Sequence, residues 1–321
     1  MDKKELRIVY MGTPEFAVES LKQLVDRGYN IVGVVTMPDK PAGRGQKIKF
    51  SAVKEYALTK GIKILQPQKL KDESFLSELR SLNASLQIVV AFRMLPEVVW
   101  NMPLLGTFNL HASLLPQYRG AAPINWAIIN GDTESGATTF FLTHEIDTGK
   151  IIMQRRTTIS NDDCAGSLHD RLMVMGADMV TDTVDAIITT DVKPIEQNEL
   201  RKGELRTAPK IFKDNCKIDW KQNAGCVRNL IRGLSPYPGA WSDLTITNCD
   251  PITVKIYECN IVPSTEKAEP GSIKSDGKHY IEVACGTDTV HLTSIQLPGK
   301  KRLTVEELLR GFSLPQNSRF I

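Results

Sequence analysis

Two polar side chains, Asn109 and His111, lie two residues apart in a stretch that otherwise predicts a buried strand. Because side chains alternate across a strand, both point to the same face. An asparagine amide can donate a hydrogen bond to a developing oxyanion, and a histidine can transfer protons near neutral pH. The pair indicates a site for acid–base chemistry, although an Asn-x-His pair is also ordinary polarity on a strand.

The residues that follow this strand predict a constrained loop. Pro116, Gly120 and Pro123 do not allow a simple helix to continue and favour a shaped turn. A strand that ends in reactive side chains and continues into such a loop is typical of a site at the carboxyl edge of a sheet.

Strand and helix patterns alternate through the first half of the chain. Short apolar runs at 7–11 and 31–35 predict buried parallel strands, with an amphipathic helix between them. Further strands are predicted at 62–65, 86–91 and 136–143, and helices at 51–60, 72–82 and 124–129. The alternation predicts an α/β fold with a Rossmann-like parallel sheet. Gly12 stands alone where a dinucleotide fingerprint needs Gly-x-Gly-x-x-Gly, which argues against NAD or FAD.

A different pattern begins after a long helix predicted at 162–190. Residues 191–206 lose apolar periodicity and become polar, which indicates a linker. Short alternating runs between turn signals then predict a small antiparallel barrel, with strands at 244–247, 253–261, 271–274, 279–283 and 290–297. We therefore expect domains at 1–190 and 211–321, joined by a linker at 191–210.

Composition sets broad limits on the class of protein. Six cysteines contain no Cys-x-x-Cys pair and no metal-ligand spacing, so we expect no metal site. No run approaches the roughly eighteen apolar residues of a membrane span, and no signal-peptide core is present, so we expect a cytoplasmic protein with no membrane partner. The net charge is +3, and residues 207–321 hold 15 Lys and Arg against 12 Asp and Glu. This excess hints at contact with a polyanion.

The stretch from Gly106 to Pro123 resembles the signature of the folate-dependent formyltransferases. Asn109, His111 and the segment Ser113-Leu114-Leu115-Pro116 match the core of that family. Arg119-Gly120-Ala121-Ala122-Pro123 matches its methionyl-tRNA branch, and Asp147-Thr148-Gly149 matches the position of the family's catalytic aspartate. The predicted barrel resembles the oligonucleotide-binding-like (OB-like) C-terminal domain of the same branch, so the resemblance covers essentially the whole chain.

The resemblance implies an activity and a set of roles. It implies transfer of the formyl group of 10-formyltetrahydrofolate to the α-amino group of methionine on initiator methionyl-tRNA, for translation initiation. Asn109 would donate to the oxyanion, His111 would relay the proton, and Asp147 would hold the imidazole. The folate donor is expected against Phe92, Arg93, Met94, Ser113, Leu114, Leu115 and Pro116. The family usually carries Tyr-Gly where this chain has Phe92-Arg93. As for the oligomeric state, we expect a monomer.

Three basic residues are expected to contact the tRNA. Residues 36–49 form a polar, basic, Pro/Gly-rich loop that is similar to a mobile loop of the family, whose arginine enters the active site with the tRNA end. By that match the arginine is Arg44, with Lys47 on the same loop, and we expect residues 38–47 to be mobile until tRNA binds. Lys210 matches a lysine of the family's junction segment that faces the tRNA.

Two other functions are compatible with the same residues. Water could replace the amine as acceptor, which would give a deformylase; that branch carries a regulatory N-terminal domain, which we expect to be absent here. A non-catalytic RNA-binding protein on the same scaffold is the other alternative. The presence of Asn109, His111 and Asp147 together argues against it.

Overall fold

The computed structural model describes residues 2–42, 47–201, 203–246, 250–265, 268–315 and 317–321. The chain divides into two compact units. The first comprises the residues up to Gly120 together with Ser135–Thr157 and His169–Ala208; the second comprises Ala121–Glu134, Thr158–Leu168 and Pro209–Ile321. The domain limits at 190 and 211 stay a prediction, since both units are assembled from discontinuous segments.

The elements as far as Ala208 follow the predicted alternation. They are β1 (Arg7–Gly12), α1 (Glu15–Asp26), β2 (Asn30–Val35), β3 (Lys40–Ala42), β4 (Lys47–Lys49), α2 (Ala52–Thr59), β5 (Ile64–Leu65), α3 (Glu73–Ser81), β6 (Leu86–Val90), α4 (Glu97–Trp100), β7 (Thr107–His111), β8 (Arg119–Gly120), α5 (Pro123–Ile129), β9 (Glu134–Phe141), β10 (Ile151–Thr158), α6 (Ala165–Ile188) and β11 (Thr207–Ala208). A 3-10 turn covers Gln197–Leu200.

The main sheet has the strand order β10-β9-β7-β6-β1-β2-β5. All pairs from β7 to β5 are parallel, and every residue of β6 is buried, as is usual for a central strand of a parallel sheet. The predicted α/β fold is confirmed, but the sheet is mixed, because β9 runs antiparallel to β7. A parallel connection needs a crossover that packs on the sheet. The helix between these strands, α5, is grouped with the second unit instead.

Three central strands end at one edge of this sheet. Gly12 of β1 is the register partner of Val90 of β6, and Val90 is the register partner of Leu110 of β7. A Cβ on Gly12 would lie 2.7 Å from Cβ of Ala17 and 3.1 Å from the carbonyl oxygen of Val90, so the close approach of α1 requires glycine. The residues that continue from these strands therefore share the carboxyl edge of the sheet.

The basic segment at residues 36–49 is partly ordered into strands. β3 and β4 form an antiparallel two-stranded ladder with Lys40 opposite Lys49 and Pro41 opposite Ile48. The expectation of a loop was wrong for these residues. Each strand of a two-stranded ladder is an edge strand, where a proline is tolerated.

The second unit contains the remaining elements. They are α7 (Ala224–Leu234), β12 (Ala240–Thr245), β13 (Ile252–Val262), β14 (Ile273–Ser275), β15 (Ile281–Ala284), β16 (Thr289–Gln296), β17 (Leu303–Thr304), α8 (Val305–Leu309) and β18 (Arg319–Phe320). A second 3-10 turn covers Lys213–Cys216. The strand order is β14-β15-β16-β13-β12-β18, and a bridge between Ser272 and Arg319 joins its two ends.

This closure confirms the predicted antiparallel barrel. Buried and half-buried residues alternate along β12 because one face packs on the core and the other faces solvent. The chain end supplies the closing strand: Phe320 is 2% exposed and stacks on Trp220 with ring centroids 5.5 Å apart. Sequence reasoning missed β18, because two residues are too few to show a period.

The described ranges can be searched for membrane-spanning helices, metal-binding groups and disulfides. Within them, no helix combines the length and apolar character needed to cross a membrane. In the same ranges, no group of three or more His, Cys, Asp or Glu side chains could hold a metal ion. The cysteines described there, Cys164, Cys216, Cys226, Cys259 and Cys285, are free thiols.

Candidate active site

Asn109 lies in the middle of β7, between Val89 of β6 and Phe140 of β9. Its side chain is half-buried, and its amide makes no hydrogen bond to any other residue in the described ranges. A polar side chain on a central strand normally finds a partner within the protein. The Asn109 amide is therefore available to an atom of a bound molecule.

His111 is the last residue of β7, and its ring is buried between a carbonyl and a carboxylate. Nε2 lies 2.9 Å from the carbonyl oxygen of Tyr118. Nδ1 lies 3.8 Å from Oδ2 of Asp147. The second distance is too long for a direct hydrogen bond, and a small shift of either side chain would bring the two atoms within hydrogen-bond distance.

These two neighbours decide which ring nitrogen can take a proton. A carbonyl oxygen only accepts hydrogen bonds, so Nε2 must carry the hydrogen when the imidazole is neutral. Nδ1 is then the basic atom, and it faces the Asp147 carboxylate. A proton added at Nδ1 would lie between His111 and a negative charge, which stabilises the imidazolium.

Asp147 lies in the connection between β9 and β10, with a φ of +54°. This left-handed conformation is uncommon for residues other than glycine, although aspartate tolerates it better than most. The side chain is largely buried, and Oδ2 accepts a hydrogen bond of 3.0 Å from the backbone N–H of Gly120. The carboxylate is thus held in place by a backbone donor on its His111 side.

Gln197 supports the Asp147 backbone and was not found from the sequence. Its side chain is 2% exposed, and Nε2 donates to the carbonyl oxygens of Asp147 at 2.8 Å and Gly149 at 2.9 Å. Its Oε1 accepts from Nε and an NH2 group of Arg119 at 3.0 and 2.6 Å. The residue belongs to the segment predicted as a linker, where a buried glutamine has no periodic signal to separate it from solvated neighbours.

The loop after β7 is shaped by one threonine of β9. Thr138 Oγ1 donates to the carbonyl oxygen of Ser113 at 2.6 Å and accepts from the N–H of Leu115 at 3.1 Å and from Nε2 of Gln154 at 3.0 Å. The peptide bond before Pro116 is cis. Ser113, Leu115 and Pro116 are buried and Leu114 is half-buried, so the loop presents mainly backbone and Leu114 to its surroundings.

The segment after β6 is held by Arg93. The guanidinium of Arg93 donates to the carbonyl oxygens of Gln68 and Pro67, which ties the segment to the loop after β5. Burial lowers the pKa of Arg93, because a charged guanidinium is less well solvated there. Ala91, two residues before Arg93, has a positive φ of +47°. Phe92 packs against the core, and Met94 is 74% exposed.

Of the three basic residues expected at a tRNA surface, the structure describes the side chain of Lys210 only. Arg44 and the side chain of Lys47 lie outside the described residues, and so does the centre of the loop expected to be mobile. Lys210 is exposed, with its ammonium 5.4 Å from the ring centroid of Phe212. Nearby in the same unit, Lys213 and Lys217 lie 5.4 and 5.2 Å from the ring of Trp241.

Two family models match the chain and together cover most of it. Residues 6–184 match the formyl transferase family, and residues 210–313 match the formyl transferase C-terminal domain. The chain therefore belongs to the formyl transferase family, and the resemblance inferred from its motifs is confirmed.

Named relatives are similar over almost the full length. The chain is 61% identical to a methionyl-tRNA formyltransferase of Bacteroides thetaiotaomicron over 98% of both proteins. It is 54% identical to that of Flavobacterium johnsoniae over 98% of this chain and 99% of the relative. Among solved structures, an N-formyltransferase from Helicobacter canadensis in complex with folinic acid and dTDP-3-aminofucose matches with a TM-score of 0.65 at 21% identity, over 91% of this chain and 98% of that one. At that identity, the structural likeness shows the fold alone.

Proposed function

We propose that this protein transfers the formyl group of 10-formyltetrahydrofolate to the α-amino group of methionine on initiator methionyl-tRNA. The observation that carries the chemistry is the placement of His111, whose basic Nδ1 faces the Asp147 carboxylate at 3.8 Å while Nε2 is bound to a carbonyl. This arrangement suits a group that takes a proton and returns it. The relatives named methionyl-tRNA formyltransferase support the choice of substrate.

The attacking amine must lose a proton during the reaction. An α-amino group has a reference pKa of about 7.7–8.0, so much of it is protonated at neutral pH and cannot attack. His111 accepts the proton at Nδ1, and Asp147 stabilises the resulting charge. The same imidazolium returns the proton to the leaving nitrogen of the formyl donor. No side-chain nucleophile is needed, because the attacking nitrogen belongs to the substrate.

Asn109 supplies the hydrogen bond that stabilises the negative charge formed in the same reaction. Attack of the amine on the formyl carbon turns the carbonyl oxygen into an oxyanion in a tetrahedral intermediate. A donor that is fixed beforehand and has no other partner stabilises that charge without reorganisation. The Asn109 amide has no hydrogen-bond partner among the described residues and lies on the face shared with His111.

We assign the formyl donor to the carboxyl edge formed by Phe92–Met94 and Ser113–Pro116. The exposed Met94 side chain offers apolar surface to a ring system, and the unpartnered Asn109 amide offers a donor for a carbonyl. The buried side chains of Ser113, Leu115 and Pro116 act by shaping the loop. A Met94→Ala variant would raise the KM for the folate donor if this assignment is right. Loss of turnover alone, with KM unchanged, would contradict it.

The decisive experiment measures product and acceptor together. Purified protein is incubated with 10-formyltetrahydrofolate and methionyl-initiator or methionyl-elongator tRNA, and both formyl-methionyl-tRNA and free formate are quantified. We expect formyl-methionyl-tRNA, formed faster on the initiator tRNA. Formate released without any tRNA would identify a deformylase. Folate binding with neither product would point to a non-catalytic RNA-binding role.

Lys210 is proposed as a tRNA contact, together with Arg44 and Lys47. The exposed ammonium of Lys210 beside Phe212 can meet a phosphate. Lys210→Ala should weaken tRNA binding and lower the salt slope by about one unit, as for one lost phosphate contact. The matched control is Lys278→Ala, an exposed lysine in a turn stabilised by Asp276, which should leave binding unchanged. An equal effect of both variants would refute a specific contact.

We also propose that the protein acts as a monomer in the cytoplasm. The catalytic groups described here, Asn109, His111 and Asp147, all belong to one unit of a single chain, so no second copy is needed to complete the site. Light scattering during size exclusion would test the oligomeric state, and fractionation of the source cells would test the location.

A further inference from the structure

Gln197 closes a ring of contacts around Asp147. The Arg119 side chain donates to Gln197, Gln197 donates to the Asp147 carbonyl, and the Asp147 carboxylate accepts from Gly120, the neighbour of Arg119. The preceding residue, Tyr118, receives the hydrogen bond from His111. One short segment, residues 118–120, is therefore tied to both members of the His111–Asp147 pair.

The orientation of the Gln197 amide is unambiguous. Arginine can only donate hydrogen bonds, and backbone carbonyls can only accept them. The oxygen of Gln197 must therefore face Arg119, and its NH2 group must face the carbonyls of Asp147 and Gly149. An acidic residue at position 197 would keep the contact to Arg119 but would lose both donated bonds.

Asp147 needs such support because its backbone is unfavourable on its own. A φ of +54° costs a residue other than glycine conformational energy and persists only where its surroundings impose it. At the other end of this turn, which comprises residues 147–149, a Cβ on Gly149 would lie 1.6 Å from the carbonyl oxygen of Phe141. Gly149 is therefore packed against β9 with no space for a side chain. Gln197 binds the carbonyls on both sides of this turn.

We propose that Gln197 is a positioning residue, which holds the Asp147 turn so that its carboxylate faces Nδ1 of His111. This proposal rests on the proposed formyl transfer. Within the described ranges no hydrogen bond joins Gln197 to His111 or to the Asp147 carboxylate, so it acts through the backbone carbonyls of Asp147 and Gly149. Arg119 fixes the orientation of the Gln197 amide by donating to its oxygen. Because Gln197 is neutral, it adds no charge, and the Asp147 carboxylate remains the negative group that faces the imidazole.

The first test removes the amide and keeps its size. Gln197→Met should lower kcat about tenfold to a hundredfold, since a displacement near 1 Å of a catalytic group has that effect. The KM for the folate donor should stay within about twofold of the wild type, because the formyl donor is assigned to other residues. The matched control is Gln87→Met. Gln87 is equally buried on β6, where it accepts from Thr107 near the opposite edge of the sheet, and its variant should keep the wild-type kcat.

Gln197→Glu separates the two ends of the side chain. It keeps an acceptor for Arg119 and loses the donors to Asp147 and Gly149, so we expect it to be as impaired as Gln197→Met. Wild-type kcat in Gln197→Glu would overturn the proposal, because it would assign the effect to Arg119 alone.

A double-mutant cycle distinguishes positioning from general stabilisation. If Gln197 acts through Asp147, Gln197→Met should change kcat by less than about twofold once Asp147 is replaced by alanine, since residues that act as a unit are not additive. An undiminished effect in the Asp147→Ala background would show that the role is merely structural. Absence of formyl transfer by the wild type would instead refute the proposed function, so the two failures are distinguishable.

Discussion

The carbonyl oxygen of Tyr118 lies 2.9 Å from Nε2 of His111, seven residues earlier in the chain. The contact assigns the hydrogen of the neutral imidazole to Nε2 and leaves Nδ1 to accept a proton opposite Asp147. Tyr118 has a φ of +60°, so the turn that places this carbonyl is itself in the left-handed region. Backbone geometry after β7 therefore decides the tautomer of the side chain at the end of β7.

Replacing His111 should remove the proposed proton relay. We expect His111→Ala to lower kcat about a hundredfold to ten-thousandfold, as is typical when an acid–base group is lost. Folate affinity should be retained, because the ring is buried and the formyl donor is assigned to other residues. Turnover on methionyl-tRNA and fluorescence titration with the folate give the two quantities. A variant that turned over at the wild-type rate would exclude His111 from the chemistry.

Asn109→Ala should impair the reaction by removing the proposed oxyanion donor. The expected fall in kcat is about a hundredfold to a thousandfold, the usual effect of one lost donor. Since this amide has no protein partner in the described ranges, its removal should leave the melting temperature nearly unchanged. Asn101→Ala, at an exposed asparagine after α4, is the matched control and should behave as wild type. A large loss of stability in Asn109→Ala would mean that the amide has a structural role instead.

Two substitutions of Asp147 separate its charge from its backbone conformation. Asparagine tolerates a positive φ and can still accept from Gly120, so Asp147→Asn should stay folded while kcat falls about a hundredfold. Asp147→Ala should in addition lower the free energy of unfolding by about 1–2 kcal/mol, because alanine is strained in the left-handed region. Denaturant unfolding and single-turnover kinetics measure the two effects. Equal stability of both variants would contradict the backbone argument.

Gly149 tests how tightly the turn after Asp147 is packed. A Cβ at this position would lie 1.6 Å from the carbonyl oxygen of Phe141, so Gly149→Ala must displace the turn. We expect it to lower the free energy of unfolding by about 1–3 kcal/mol, as overpacking does, and to lower kcat as well. Gly311→Ala is the control, since a Cβ there meets no atom of the described residues within 4 Å apart from its chain neighbours. A thermal shift that is the same for both variants would show that the turn can relax.

Alkaline pH should destabilise the fold through Tyr29. Burial, together with the hydrogen bond to Asp185, raises the pKa of Tyr29 to about 12. In the unfolded chain the phenol ionises near pH 10. The stabilisation is therefore complete below about pH 10 and is lost as the pH rises towards about 12, because only the unfolded state releases its proton in this window.

Melting temperatures measured from pH 9 to pH 12 check this prediction against Tyr29→Phe, which should show a shallower decline. Buried Cys259 and Cys285, whose pKa values burial also raises to about 12, act in the same direction, so the decline should be reduced rather than abolished. An identical pH dependence of wild type and Tyr29→Phe would reject the assignment.

Local patterns were enough to predict the architecture and to bring together part of the candidate site. Apolar runs and their spacing predicted the α/β sheet and the C-terminal barrel, because burial imposes a period on each strand and helix. Alternation also placed Asn109 and His111 on one face, since that relation depends only on the geometry of a single strand. The family motifs added Asp147, although it lies 36 residues beyond His111 in the chain.

Contacts between segments that are distant in sequence were decided only by the tertiary structure. The antiparallel direction of β9 depends on how separate segments pack. The positive φ of Asp147 and the Tyr118 carbonyl beside His111 depend on how their loops are held in the fold, and no local period encodes them. Gln197 is the clearest case: its neighbours in sequence are polar and predict a linker, yet its amide is buried against Arg119 and Asp147. A hydrogen bond across 50 residues leaves no pattern in the sequence around either partner, because each partner's environment is supplied by the fold.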